Sequence, residues 1–464
     1  MAFDFDLLVI GAGSGGVRCA RIAASHGAKV GIVEGRHWGG TCVNVGCVPK
    51  KIMLYASEYS GMIEDSRAFG WDVSPPNHQW SVLTSARNTE VERLNGIYVS
   101  MLQKAGVALF TGMAGFVDEH TVYIAPSELD PNGKEQRITA ERVVIATGSK
   151  PHFPSTIPGI EHAISSDDIF HLAEMPQKIC VIGSGYIGVE FSGIFAGLGA
   201  EVHHVYRQDL PLRGFDRDLR IALHEAILER GIHRHSGVHP LRIVPKGNQR
   251  LVELDEGITL EVDSVLFATG RQPNIQSLAL DKAGIKVDEN GSIVTNSLQE
   301  TSQPHIYAIG DVTNQLNLTP VAIAEGHMLA DRLFGKPHYD WSFPTTPKAV
   351  FFSPPIASVG LSEEEAAALG DVDIYVSRFT PMRRTITKRS GKVVMKIVVD
   401  TPSQKVLGVH MMGEDAPEIL QGIAIAVTAG LYKHDFDRTI GIHPSMAEEL
   451  VTMRTLTRQV KKTG

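Results

Sequence analysis

The eight residues "VIGAGSGG" at 9–16 return as "VIGSGYIG" at 181–188, each an apolar run followed by G-x-G-x-x-G and a stretch rich in small residues. One such pattern constrains little, because glycine-rich turns are common. Here the register persists, since "GAKVGIVEGR" at 27–36 answers "GAEVHHVYRQ" at 199–208. Both comparisons give one offset, 183 minus 11 and 199 minus 27, or 172. Strand, turn, helix and second strand repeating in register predict two βαβ units of one design, hence an α/β chain with two Rossmann-like dinucleotide-binding domains. At 464 residues the chain exceeds what one hydrophobic core organises, which leaves room for a further domain.

The glycines of each unit have separate duties. Gly11 and Gly183 make the tight turn, Gly13 and Gly185 let a pyrophosphate approach the backbone, and Gly16 and Gly188 allow close helix packing. At the end of the second strand the copies diverge. The first carries Glu34, whose carboxylate can accept from a ribose 2′-hydroxyl; the second carries Tyr206, then Arg207, with Arg213 beyond. A carboxylate repels a 2′-phosphate, whereas guanidinium groups bind it through charge-assisted hydrogen bonds. The first unit is therefore expected to take FAD or NAD, and the second NADP.

A formal net charge of -8 provides no basic field for nucleic acid or an anionic membrane. No apolar run reaches the roughly 18 residues of a membrane span, and the N-terminus enters an apolar strand without a charged leader. A soluble, cytoplasmic protein is expected. Of its four cysteines, Cys19 in a small-residue helix and Cys180 in "KICVIG" read as buried thiols.

Cys42 and Cys47, in "GGTCVNVGCVPKK" at 39–51, read differently. Pro49 suits a first helical turn and places Cys47 at a helix N-terminus, where the macrodipole and Lys50 stabilise a thiolate. Residues five apart in a regular helix have Cα atoms roughly 8.6 Å apart, beyond the limit of about 7 Å for a disulfide. A bridge between them therefore requires an irregular "TCVNVGC". No second cysteine pair has ligand spacing, so no metal is expected.

Two further echoes, "VVIATGSKP" at 143–151 and "VLFATGRQP" at 265–273, read as buried strands ending in small-residue turns that mark crossings between domains. "IYAIGDVTN" at 306–314 is another strand, ending at Gly310-Asp311. From Phe343 onward, "KVVMKIVVD" and "KVLGVHMMG" alternate as strands and "APEILQGIAIAVTAGLY" has helical periodicity, which predicts an α+β domain. The expected division is 1–147, 148–272, 273–342 and 343–464.

Over its whole length the chain resembles the flavoprotein disulfide reductase family, the FAD-dependent pyridine nucleotide-disulfide oxidoreductases, and within it the members that reduce glutathione disulfide. "GGTCVNVGCVPKK" matches the family's redox-active motif. The resemblance implies FAD in the first unit (1–147 with 273–342), NADPH in the second (148–272), and a C-terminal dimerisation domain (343–464) that makes a homodimer with shared active sites. It implies that Cys47 faces the flavin and Cys42 attacks the substrate disulfide, with Lys50 and Glu190 as an ion pair beside the flavin. Tyr186 matches an aromatic gate over the nicotinamide, next to Ile187. Ser14, Gly15, Gly40, Thr41, Thr147, Gly148, Gly310, Asp311 and Thr319 match flavin contacts, and Gly270 with Arg271 join the cofactor set.

In "GIHPSMAEELVTMR", His443 matches the acid-base of thiol exchange and Glu448 the glutamate that orients it, although Ser445 and Glu448 also have the S-x-x-E spacing of a capping box. Arg18 and Arg21 share a helix face that attracts carboxylates, and Tyr98 matches an aromatic lying between the glutathione halves. In members whose disulfide carries a polyamine an acid stands where Arg18 does. His327 and Met101 depart from the family pattern. A lipoamide dehydrogenase would be expected to bind NAD and carry an acid near Tyr206, and a high-molecular-weight thioredoxin reductase or a mercuric reductase would need further redox cysteines near the C-terminus, where "TLTRQVKKTG" has none. The remaining alternatives are a reductase of another small disulfide and a flavin redox sensor with little turnover.

Overall fold

The computed structural model describes residues 3–75, 77–336 and 343–462. The chain forms two compact units, one of Met1–Ile52, Val82–His152 and Gly270–Trp341, the other of Met53–Ser81, Phe153–Thr269 and Ser342–Gly464.

In the first unit, the strand Phe5–Ile10 is buried on both faces, with Leu7, Leu8 and Val9 fully shielded, as the centre of a parallel sheet requires. The seven-stranded sheet runs Ala108–Thr111, Val30–Glu34, Phe5–Ile10, Gln136–Ile145, Thr121–Ala125, Met113–Phe116. Its first four strands are parallel, and Ile306–Ala308 adds to Gln136–Ile145 in parallel. The early part of Gln136–Ile145 pairs antiparallel with Thr121–Ala125, so one long strand joins the nucleotide-binding layer to a hairpin. The helix Ser14–Ser25 packs against Thr319–Phe334 through glycine. A Cβ on Gly326 would stand 2.4 Å from the Gly15 carbonyl oxygen, and one on Gly15 would stand 2.9 Å from that of Ala322. The two "ATG" echoes meet: Ser149–Pro151 pairs antiparallel with Arg271–Pro273.

The second unit repeats the parallel layer, in the order His233–Ser236, Glu201–Tyr206, Lys178–Ile182, Ser264–Phe267. A three-stranded antiparallel sheet, Pro240–Lys246, Gln249–Leu254 and Thr259–Val262, lies in the chain between His233–Ser236 and Ser264–Phe267. The C-terminal region builds a six-stranded sheet centred on Val393–Asp400 and Val406–Met412, against which the helix Ala416–Thr428 buries Leu420, Ala424 and Val427. Among the described residues no helix is long and apolar enough to cross a membrane.

Candidate active site

The two glycine turns have the same construction. Gly11 has φ +103° and a Cβ there would lie 2.4 Å from the Ala146 carbonyl oxygen; Gly183 has φ +133° and would meet that of Ala268 at 2.3 Å. Gly16 and Gly188 bring the helix onto the turn so closely that a Cβ would stand 2.0 and 2.1 Å from the carbonyl oxygens of Gly11 and Gly183. The middle glycines differ in kind. A Cβ on Gly13 would find its nearest neighbour at 3.9 Å, and one on Gly185 would meet nothing within 4 Å. Protein packing does not demand these two, and both N-cap helices that have no side-chain cap. Open backbone at an uncapped helix N-terminus fits a pyrophosphate.

The first turn opens into a cavity lined by Gly11, Gly13, Ser14, Gly15 and Glu34. Gly40, Thr41, Thr147, Gly148, Gly310, Asp311 and Thr319 complete the expected set there, while Gly16 lies behind the turn. Glu34 is held at the mouth by the backbone N–H groups of Ala12 (2.8 Å), Arg36 (2.7 Å) and His37 (3.1 Å). Asp311 accepts from the Ser149 hydroxyl at 2.8 Å. Sequence reasoning missed Glu325, which is buried and accepts the Gly310 N–H at 2.7 Å. Burial raises its pKa. An acid on the packed face of "TPVAIAEGHM" was the available signal. Asn274 and Met113 also line the cavity and were not anticipated.

The cysteine segment is more regular than expected, because the helix Gly40–Asn44 carries Cys42 and irregular backbone is confined to Val45-Gly46. A new helix, Cys47–Ala68, starts at the second cysteine. The return is possible because position 46 is glycine; a Cβ there would stand 2.7 Å from the Thr41 carbonyl oxygen. Buried Asn44 donates to the carbonyls of Trp38 (3.1 Å) and Gly40 (2.9 Å) and accepts from Asn95 at 2.9 Å, which fixes the bend. Neither cysteine is in a disulfide. Cys42 lines the cavity, and Cys47 Sγ lies 3.7 Å from the Thr319 hydroxyl. The hydrogen bond with Cys47, then burial, push the Cys42 thiol far up. Lys50, of the first unit, and Glu190, of the second, are both buried, and Glu190 accepts the Phe351 N–H at 2.9 Å.

Arg18, Tyr98 and Cys42 share one neighbourhood in the first unit. Burial raises the Tyr98 hydroxyl pKa, Cys42 raises it further, and Arg18 acts against both. Arg21 is half-buried on the same helix, with Nε shielded from solvent and lacking a hydrogen-bond partner. His327 Nε2 lies 3.5 Å from Asp331 Oδ2, and the same carboxylate meets His26 Nε2 at 2.7 Å through Oδ1.

In the second unit, Tyr186 opens the helix Tyr186–Leu198 and is exposed, with Ile187 beside it. Arg207 and Arg213 are exposed on the loop after Glu201–Tyr206. That loop is tied to the glycine turn by the Leu212 N–H on the Ser184 carbonyl (2.8 Å) and by Ser184 Oγ on Gln208 (2.6 Å). Gly270 and Arg271 belong to the first unit, where the Arg271 guanidinium donates to Ser149 Oγ at 2.9 Å and to its carbonyl at 2.7 Å.

His443 is 81% exposed, and its Nδ1 lies 3.1 Å from both carboxylate oxygens of Glu448. The capping box suggested by the spacing does not form. Glu448 is itself the N-cap of Glu449–Thr452 without a side-chain bond, and Ser445 Oγ is buried without a partner. The carboxylate faces the imidazole Nδ1 instead.

Residues 5–326 match the family model described as pyridine nucleotide-disulphide oxidoreductase, and residues 346–454 match its dimerisation domain. The chain is 45% identical to a glutathione reductase of Nostoc sp. across 98% of its own length and all of the relative's. It is 45% identical to the chloroplastic/mitochondrial glutathione reductase of Pisum sativum (99% of this chain, 84% of the relative). Identity to the glutathione reductase of Schizosaccharomyces pombe is 39% (97% and 98%).

Proposed function

The chain belongs to the pyridine nucleotide-disulphide oxidoreductase family, and we propose that it reduces glutathione disulfide with NADPH through bound FAD and the Cys42–Cys47 pair. The observation that carries this reading is Cys42 lining the cavity beneath the first glycine turn, with Cys47 against Thr319 at its edge. FAD, when bound, accepts a hydride from the nicotinamide and passes an electron pair to sulfur. Gly13, Gly185 and Glu34 would hold the pyrophosphates and a ribose of the two dinucleotides, and Arg207 with Arg213 the 2′-phosphate.

The electron pair opens a Cys42–Cys47 disulfide to two thiols with uptake of two protons. Cys42, as the thiolate, attacks one sulfur of glutathione disulfide, and the first glutathione leaves as the mixed disulfide forms. Cys47 then attacks the Cys42 sulfur, which restores the internal disulfide and releases the second glutathione. His443, oriented by Glu448, takes the proton from the attacking thiol and gives it to each leaving thiolate. Its imidazole stands 81% exposed on the single chain, as expected of a group that serves the cysteines of a second copy in a homodimer. Arg18, Arg21 and Tyr98 bind the anionic substrate. A cytoplasmic location, where reduced glutathione is kept, belongs to the same reading.

The test is steady-state NADPH oxidation by the FAD-loaded protein with a panel of small disulfides. Preference for glutathione disulfide is expected; turnover with another disulfide but not with glutathione disulfide would refute the substrate, and no turnover with any would favour a redox sensor.

A further inference from the structure

The two dinucleotide turns are supported differently. In the first unit the clamp comes from the end of the second strand, where Glu34 Oε2 accepts the Ala12 N–H at 2.8 Å. The offset of 172 puts Tyr206 in the place of Glu34 and Ser184 in the place of Ala12. Replacing the carboxylate removes the charge that would repel a 2′-phosphate, but it also removes the acceptor that steadied the turn.

The same strand supplies another support two residues earlier. His204 is fully buried, and its Nε2 lies 2.8 Å from the Gly183 carbonyl oxygen. The matching residue of the first unit is Ile32, which cannot make such a bond. A carbonyl only accepts, so Nε2 carries the proton. Burial lowers the imidazole pKa to about 4, with the bond to Gly183 acting against it, and the side chain is a neutral donor at physiological pH. Its Nδ1 is buried without a partner, a desolvation cost that Ile32 does not carry. The carbonyl it holds is the one onto which Gly188 seats the helix, at 2.1 Å from a would-be Cβ, and the helix aims its first N–H groups from there.

We propose that His204 is a positioning residue of the NADPH site, whose Nε2–H fixes the Gly183 carbonyl in place of the carboxylate clamp that Glu34 provides in the first unit. This rests on the second turn being the NADPH site.

The test is His204→Ile in the FAD-loaded dimer. Calorimetric Kd for NADP+ and KM for NADPH should rise about three- to tenfold, the range of one lost hydrogen bond, while kcat at saturating NADPH and FAD content stay within twofold. Adding Tyr206→Glu to His204→Ile copies Ile32 and Glu34, and should lower KM for NADH relative to the single variant while raising KM for NADPH further. His204→Gln keeps an N–H donor and should hold Kd for NADP+ within twofold of the wild type; a tenfold loss there overturns the proposal even where His204→Ile does not fold. Unchanged NADP+ affinity in His204→Ile overturns it as well, as does a double variant with no gain for NADH. Wild-type protein that binds NAD+ as tightly as NADP+ would overturn the coenzyme assignment instead.

Discussion

Lys396 sits in the middle of the strand Val393–Asp400 with no solvent exposure, and its ammonium meets Asp216 at 2.8 Å, Asp218 at 2.8 Å and Glu363 at 2.6 Å. Arg458 reaches Asp218 at 2.6 Å and also bonds Glu363. Asp216 caps the helix Arg217–Glu229 through the Asp218 N–H at 3.0 Å, so the cluster joins the start of that helix, three residues beyond Arg213, to the C-terminal sheet. Three carboxylates and two cations give a net charge of -1, and Lys396→Met takes it to -2 at nearly unchanged volume. Breaking a buried ion pair from one side costs about 3–5 kcal/mol, because the partner charges stay desolvated. Urea unfolding of the dimer at one fixed protein concentration should show that loss with an unchanged m value. Adding Asp216→Asn returns the net charge to -1 and keeps an acceptor for the Asp218 N–H, so it should recover part of the loss. The signs fix the pH window. Burial pushes the Asp218 pKa up, but Lys396 and Arg458 win and hold it below its ordinary 3.8, so its contribution is complete above that value and fades as pH falls through the lower folded value. Burial opposes Lys396 too, yet the three carboxylates raise it above 10.5, so its contribution is complete below that value and fades only as pH rises through the raised one. The gap between wild type and Lys396→Met should be flat from about pH 5 to 9. A loss below about 1 kcal/mol, the range of surface pairs, would refute the reasoning.

Cys42→Ser should leave a long-wavelength flavin band from a Cys47 thiolate, and Cys47→Ser should abolish it; equal spectra would contradict the assignment of roles. Neutralising Arg207 and Arg213 together should raise KM for NADPH about tenfold or more and leave NADH use nearly unchanged, since each charged hydrogen bond contributes about 1.5–3 kcal/mol before solvent screening. A similar loss with both coenzymes would make the arginines structural. His443→Ala and Cys42→Ser chains, inactive alone, should recover one working site per mixed dimer with glutathione disulfide; mixed dimers that form and stay inactive would exclude a site shared between subunits.

Local chemistry carried much of this protein. The paired G-x-G-x-x-G turns were legible because the last glycine of each is demanded by a contact only a few residues away, as the 2.0 and 2.1 Å approaches of Gly16 to Gly11 and Gly188 to Gly183 show. The helix start at Cys47 was legible from Pro49, and the strands and helix of the C-terminal region from their periodicity. Tertiary structure decided what depends on residues far apart in the chain. Only folding brings Glu325 onto the Gly310 N–H, sets Arg271 on Ser149 across the paired crossings, or buries Lys396 among acids from elsewhere in the second unit. It also chose between two local options at Glu448, whose spacing to Ser445 suits a capping box but whose carboxylate serves His443. A spacing rule counts residues along one segment, whereas a carboxylate goes to the donor that the whole fold places within reach, and a buried polar group is stable only where distant chain supplies its partner.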